Sequence, residues 1–233
     1  MQDYIPDSHE DVVVKISEWI DNNHGYPVCW LKYPNRRHGQ PSAIAQRIAE
    51  DCARKRILAA SIFCSSRTVN SVNFLPTLAF QLAQLIPSLK SAMHQTIEDQ
   101  REILLSLHDQ PEVAAHKLII EPFLTGKVPN LSPMVVVIDC VGWCEGYCLL
   151  RSIMWFAEAL RKHTLPLQIF MTSEPEIYRQ ANLNFPDFLD RTHVLQIPRF
   201  EPWSKLSSPV HAPTIIFVDR GQKVYQVRRH THT

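Results

Sequence analysis

Pro133-Met134-Val135-Val136-Val137-Ile138-Asp139-Cys140 is the stretch whose reading decides the fold. The run is apolar on both faces and bounded by Pro133 and Gly142. That pattern predicts a central strand of a parallel sheet, the kind covered by helices on both sides. It ends abruptly in a carboxylate. Asp139 then lies at the C-terminal edge of the sheet, where open α/β sheets bind ligands beyond their strand ends. The plainer alternative is a turn-forming Asp closing a buried strand.

Working outward, helices are expected over 10–22, 42–56, 74–86, 88–100, 112–123, 149–162 and 176–181, from apolar residues at helical spacing. Asp7 or Ser8 is placed to cap the first of them, and Asn22-Asn23-His24-Gly25 to end it. Pro41 suits the first turn of the second helix, where a missing N–H costs least. Strands are expected over 28–31, 57–64, 167–172 and 193–197. Five strands alternating with helices predict an α/β fold with a parallel sheet covered on both faces. Past Pro198 the alternation stops. Four prolines fall between 198 and 213, and 214–227 reads as a strand, a turn and a second strand of a hairpin. The expected organisation is an N-terminal tail over 1–9, one α/β domain over 10–197 and an atypical tail over 198–233.

Composition narrows the function classes. The formal net charge is +1, so no basic surface implies nucleic acid or an anionic membrane. No apolar run reaches the roughly 20 residues that span a bilayer. The N-terminus shows no basic and apolar leader. Six cysteines, mostly in apolar segments, are expected to be reduced thiols in the cytoplasm.

A strand, a loop and a helix beginning near Ser42 form the layout of a phosphate-binding loop. That chemistry needs glycines to wrap a phosphate, a lysine for the β/γ-phosphates and a hydroxyl for Mg²⁺. Here the loop has one glycine, Gly39, and Pro41 stands where the lysine belongs. Proline removes both a charge and a donor. Lys32, Arg36 and Arg37 make the loop basic and could reach an anion instead, although a solvated loop explains them as well. Cys140, Cys144 and Cys148 would share a face if their segment were helical, but zinc sites favour a Cys-x₂-Cys knuckle and four ligands. Asp139, Glu145 and Glu174 lack a nearby His or nucleophilic Ser in motif context. His230 and His232 lie in a loose terminus.

Several segments together resemble the NACHT-type STAND P-loop NTPases, in their nephrocystin-like subgroup common in mushroom-forming fungi. They are VVVKISEWIDNNHGYPVCWL (12–31), SAIAQRIAEDCARKRILAA (42–60), FLPTLAFQLAQLI (74–86), the opening strand with Cys144-Glu145-Gly146, and LPLQIFMTSEPE (165–176). The resemblance implies a three-layer P-loop NTPase-like fold with a five-stranded parallel sheet, nucleotide-dependent switching, and protein partners or self-association. A helical module and repeats normally follow in that family, so the tail after Pro198 suggests a truncated or decayed copy.

The same resemblance marks the departures. Gly39, Gln40, Pro41, Ser42 and Asp139 fall on nucleotide-binding positions, with Ser42 and Asp139 as the Mg²⁺ supports. The family's Gly-Lys before the Ser is Gln40-Pro41 here. Its Asp-x-Leu-Asp-Glu-Cys motif keeps Asp139 and Cys144 but has Gly142 and Trp143 at the later acids. Its sensor Ser-Arg is Ser173-Glu174. A missing phosphate-loop lysine removes a charge-assisted contact of roughly 1.5–3 kcal/mol, and Glu174 turns an attraction to a triphosphate into a repulsion. The expectation is a remnant site with no catalytic residue and little or no hydrolysis. Mg-ATP or Mg-GTP binding by a surviving switch is the alternative.

Overall fold

The structure, a computed structural model, describes residues 7–22, 25–33, 40–64, 71–104, 110–126, 132–141, 146–196, 215–218 and 224–227. In chain order these form α1 (Asp7–Asn22), β1 (Val28–Lys32), α2 (Gln40–Arg54), β2 (Leu58–Phe63), α3 (Ser71–Leu85), α4 (Pro87–Asp99) and a 3₁₀ turn (Arg101–Leu104). A composite helix α5 follows, as Pro111–Ala115, a π turn His116–Ile120 and Glu121–Thr125. Then come β3 (Met134–Val141), α6 (Gly146–Lys162), β4 (Leu167–Ser173), α7 (Pro175–Asn184), the short α8 (Pro186–Leu189) and β5 (Thr192–Gln196). The strands β6 (Ile215–Val218) and β7 (Val224–Val227) pair antiparallel as a separate sheet, the hairpin expected there.

The main sheet has the order β2-β3-β4-β1-β5, and every pairing in it is parallel. The three-layer α/β expectation holds. Side-chain alternation builds the layers. Cys29, Leu31, Val135, Val137 and Phe170 pack with Ile44, Ala45, Ile48, Ala49 and Cys52 of α2 and with Val13, Ile16 and Trp19 of α1. Val28, Trp30, Val136, Ile138, Ile169 and Met171 point the other way, into a larger cluster with α3, α5 and α6. One face of the sheet is therefore the α1/α2 face, and the other the α3–α7 face. The middle of the five strands is β4, all seven of whose residues are buried. The opening stretch is its neighbour β3.

Several expectations are corrected in detail. Asp7 and Ser8 lie inside α1 rather than capping it from outside. The strand carrying Asp139 continues to Val141. Cys140 therefore belongs to β3 while Cys148 belongs to α6, and the one-helix arrangement of the three cysteines does not exist. Cys144 and Glu145, like Gly142, Trp143, His230 and His232, lie outside the described residues. The π turn precedes Pro122, whose ring would meet the carbonyl one turn back in a regular α-helix. Glu121 N–H instead reaches back to the His116 carbonyl, and the wider turn keeps Ile119, Ile120 and Phe123 on the core side.

With only six glycines in the chain, two helix ends use other residues in the left-handed region. Arg56 (φ 61) follows α2 and Thr164 (φ 51) follows α6. Ile57 N–H to Cys52 O at 2.9 Å and Leu165 N–H to Leu160 O at 3.0 Å close the two turns in the same way. Thr164 is β-branched, which makes its conformation the more strained of the two.

Candidate site at the C-terminal edge of the sheet

The polar site is built on the α1/α2 face. α2 opens at Gln40, so Pro41 falls in its first turn and is buried there. Ser42 follows, half-buried, and its Oγ donates to Asp139 Oδ2 at 2.7 Å. Asp139 is only 3% exposed. Its second oxygen, Oδ1, accepts from Thr172 Oγ1 at 2.6 Å. Three elements thus meet on one carboxylate.

A local irregularity in the sheet aims that carboxylate. Ile138 stands opposite Met171, but the next matched pair is Val141 opposite Ser173. β3 spends one more residue than β4 over this interval. Bulges of this kind redirect a side chain and are common beside functional sites. Electrostatics adds a second reason for an acid here. α2 has no acidic residue in its own first turn, and Asp139 supplies negative charge to the positive end of that helix.

Ser173 and Lys32 take the opposite face, one residue out of phase with Thr172 and Leu31. Ser173 is fully buried. Trp30 Nε1–H donates to its Oγ at 2.7 Å, and Ser173 Oγ donates to the Glu174 carbonyl at 3.1 Å. Trp30 meets Tyr178 of α7 edge-on, with ring centroids 5.4 Å apart. Lys32 Nζ sits 3.8 Å above the Tyr178 ring. Glu174, 4% exposed, immediately precedes Pro175 at the start of α7. A carboxylate there faces the positive end of α7, a reason for its presence that involves no phosphate.

Of the residues singled out from sequence, the fold brings together Ser42 and Asp139, with Pro41 one step away. Gln40 contributes its backbone to the helix start. Ser173 is next to Thr172 in sequence but belongs to the other side of the sheet, and Glu174 follows the strand end as the residue before α7. Lys32 is turned away from Asp139 and does not take the missing lysine's place. Gly39, Arg36 and Arg37 lie outside the described residues. Sequence reasoning missed Thr172 as a partner of Asp139 and Trp30 as the partner of Ser173. Counting two residues from Phe170 along β4 would have put Thr172 on the Asp139 face. Among the described residues, no group of three or more His, Cys, Asp or Glu side chains is arranged to hold a metal.

The buried thiols are chemically quiet. Cys29 and Cys52 flank the same core, and burial pushes both well up, Cys52 to about 12.

The chain is similar to known proteins in two comparisons. The family described as "Nephrocystin 3, N-terminal" matches residues 13–174. A solved structure, the Aeropyrum pernix ORC2 protein in ADPNP–ADP complexes, is similar with a TM-score of 0.49 and 11% identity, over 85% of this chain. The chain spans 50% of the length of that one. No curated protein matches.

Proposed function

The chain belongs to the nephrocystin 3 N-terminal family, a P-loop NTPase-like domain, and from that premise we propose that it is a degenerate, NACHT-like module. On this reading it acts in protein interaction or signalling with little or no nucleotide hydrolysis. One observation carries the reading: both oxygens of Asp139 are engaged by hydroxyls of the fold itself, Ser42 and Thr172. The position that should bring a lysine to a phosphate holds the buried Pro41, and the nearest cation on β1, Lys32, is committed to the other face. The carboxylate then serves as a post that joins α2 to β3 and β4, with its ancestral task reduced.

The donor set still suits Mg²⁺, which accepts hard oxygen ligands from one or two carboxylates and phosphates. Ser42 and Asp139 would hold the ion, and it would supply charge neutralisation for a bound triphosphate. The lysine contact to the β/γ-phosphates is the missing part. Partners are proposed to be proteins, including a second copy of the chain. A cytoplasmic location is supported by the buried thiols of Cys29 and Cys52, since reduced thiols are the rule in that compartment. No described helix is long and apolar enough to cross a membrane.

Titration with Mg-ATP and with Mg-GTP tests the proposal. The expected result is weak or absent binding and no turnover. Tight, Mg²⁺-dependent binding with turnover abolished by Asp139→Ala would overturn it. The 2.7 Å Ser42–Asp139 contact favours one second reading, a switch that still binds nucleotide through the basic loop. That reading requires Arg36→Ala with Arg37→Ala to weaken nucleotide affinity at least tenfold.

A further inference from the structure

A shallow cleft of about 200 Å³ opens where the ends of β1 and β5 meet the start of α7, lined by Lys32, Tyr33, Pro175, Tyr178, Arg179 and Gln196. We propose that it is a binding site for a small oxyanion, the phosphate group of a phosphate monoester, with Lys32 and Arg179 as its charge partners.

Lys32 is half-buried at the end of β1. Its ammonium group sits over the Tyr178 ring, and no carboxylate of the described residues lies within ion-pair distance of it. A partly desolvated cation needs compensation. A ring face offsets only part of that cost and approaches from one side. An ammonium has three donors, so the cleft side of Lys32 is set to receive an acceptor. Arg179 supplies the second charge. Its present partner is Glu176, one turn away at 3.1 Å, and both side chains are largely exposed. Such a pair is worth little, so an incoming anion displaces Glu176 at small cost. The Gln196 amide adds a neutral donor. Two cations favour a phosphate dianion over a monocarboxylate. The size sets the scope, because pockets for whole drug-sized ligands run to about 300–1,000 Å³. This cleft admits one headgroup.

Neither Ser42, Thr172 nor Asp139 lines the cleft, so it stands or falls separately from the nucleotide reading. The test is a titration of the full chain with inorganic phosphate by calorimetry, with acetate as the comparison anion. The expected result is saturable phosphate binding, tighter than acetate. It should weaken at least tenfold in Lys32→Met, severalfold in Arg179→Gln, and not at all in Ser42→Ala. Unsaturable binding, binding no tighter than acetate, or binding lost in Ser42→Ala but retained in Lys32→Met overturns the proposal. Should Lys32→Met fail to fold, the exposed Arg179→Gln decides, and undiminished affinity there overturns it.

Discussion

The two faces of this sheet end differently, although their polar residues are sequence neighbours. Thr172 and Ser173 are adjacent, yet one serves the carboxylate under α2 and the other the indole beside α7. On the α2 face, a buried anion is closed by two hydroxyls. On the α7 face, a buried Ser links Trp30 to the helix start, and a half-buried cation rests on a ring. The lesson is that a motif read as a line of letters divides across a strand into two unrelated environments. The family position that should carry an arginine, Glu174, stands just past the strand, at the start of α7.

The sharpest way to break the comparison is Asp139→Ala. If Asp139 is a structural post, its loss strands two hydroxyls and should cost about 3 kcal/mol in urea unfolding. A neutral or stabilising result would mean the carboxylate is kept for a ligand and strained in its absence. Thr172→Val, nearly isosteric, should cost about 1.5–3 kcal/mol through the loss of one charge-assisted bond. A cost under half a kcal/mol would leave Ser42 as the sole support.

Alkali separates the faces next, because Cys29 of β1 and Cys52 of α2 both lie in the core between α2 and the sheet. Their folded-state pKa values are raised by burial, so the folded protein keeps protons that the unfolded chain releases. Stability is full below about pH 8.5, the unfolded value, and falls as pH climbs toward the folded value. The slope should approach about 1.4 kcal/mol per pH unit for each thiol. Cys52→Ala should flatten a plot of melting temperature against pH between about 9 and 11. An unchanged slope refutes the assignment.

On the other face, Trp30→Phe should cost about 1–2 kcal/mol, and a cycle with Ser173→Ala should show coupling between the two. Additive effects would mean that the indole is held by packing against Tyr178 alone. Lys32→Met should have the smallest effect, about 0.5–1 kcal/mol from the lost cation–ring contact. A gain in stability would show the burial of the charge outweighing it.

The sequence made the fold legible wherever one residue pattern served one purpose. The Val135–Ile138 run could only be an interior strand, and the α2 stripe of Ile44, Ala45, Ile48, Ala49 and Cys52 could only be a buried helix face. Helix ends were harder, because Asp7 and Ser8 favour caps yet sit inside α1, where the helix gains another turn. The π turn left no letter of its own besides Pro122. In the site, Asp139 was marked by its strand pattern and Ser42 by the strand–loop–helix layout, and the family resemblance, which is blind to direction, assigned both to one site. The bulge between Ile138 and Val141 is a property of pairing with β4 and has no signature in β3 alone. The orientation of Lys32 follows from Trp30 two residues before it, but only once the face that Trp30 occupies is known.

The position of β1 in the sheet has a consequence for synthesis. β1 leaves the ribosome first among the strands, yet it belongs between β4 and β5. Trp30 and its partner Ser173 are 143 positions apart. At about 5–20 residues per second of translation, β1 spends on the order of 10 s with both hydrogen-bonding edges unfilled. During that interval the nascent chain carries an apolar strand, Val28-Cys29-Trp30-Leu31, with only α1 and α2 available to shield one side of it. The fold is closed by insertion of its oldest strand between its youngest two, which makes the addition of residues 167–196 the step that commits the chain.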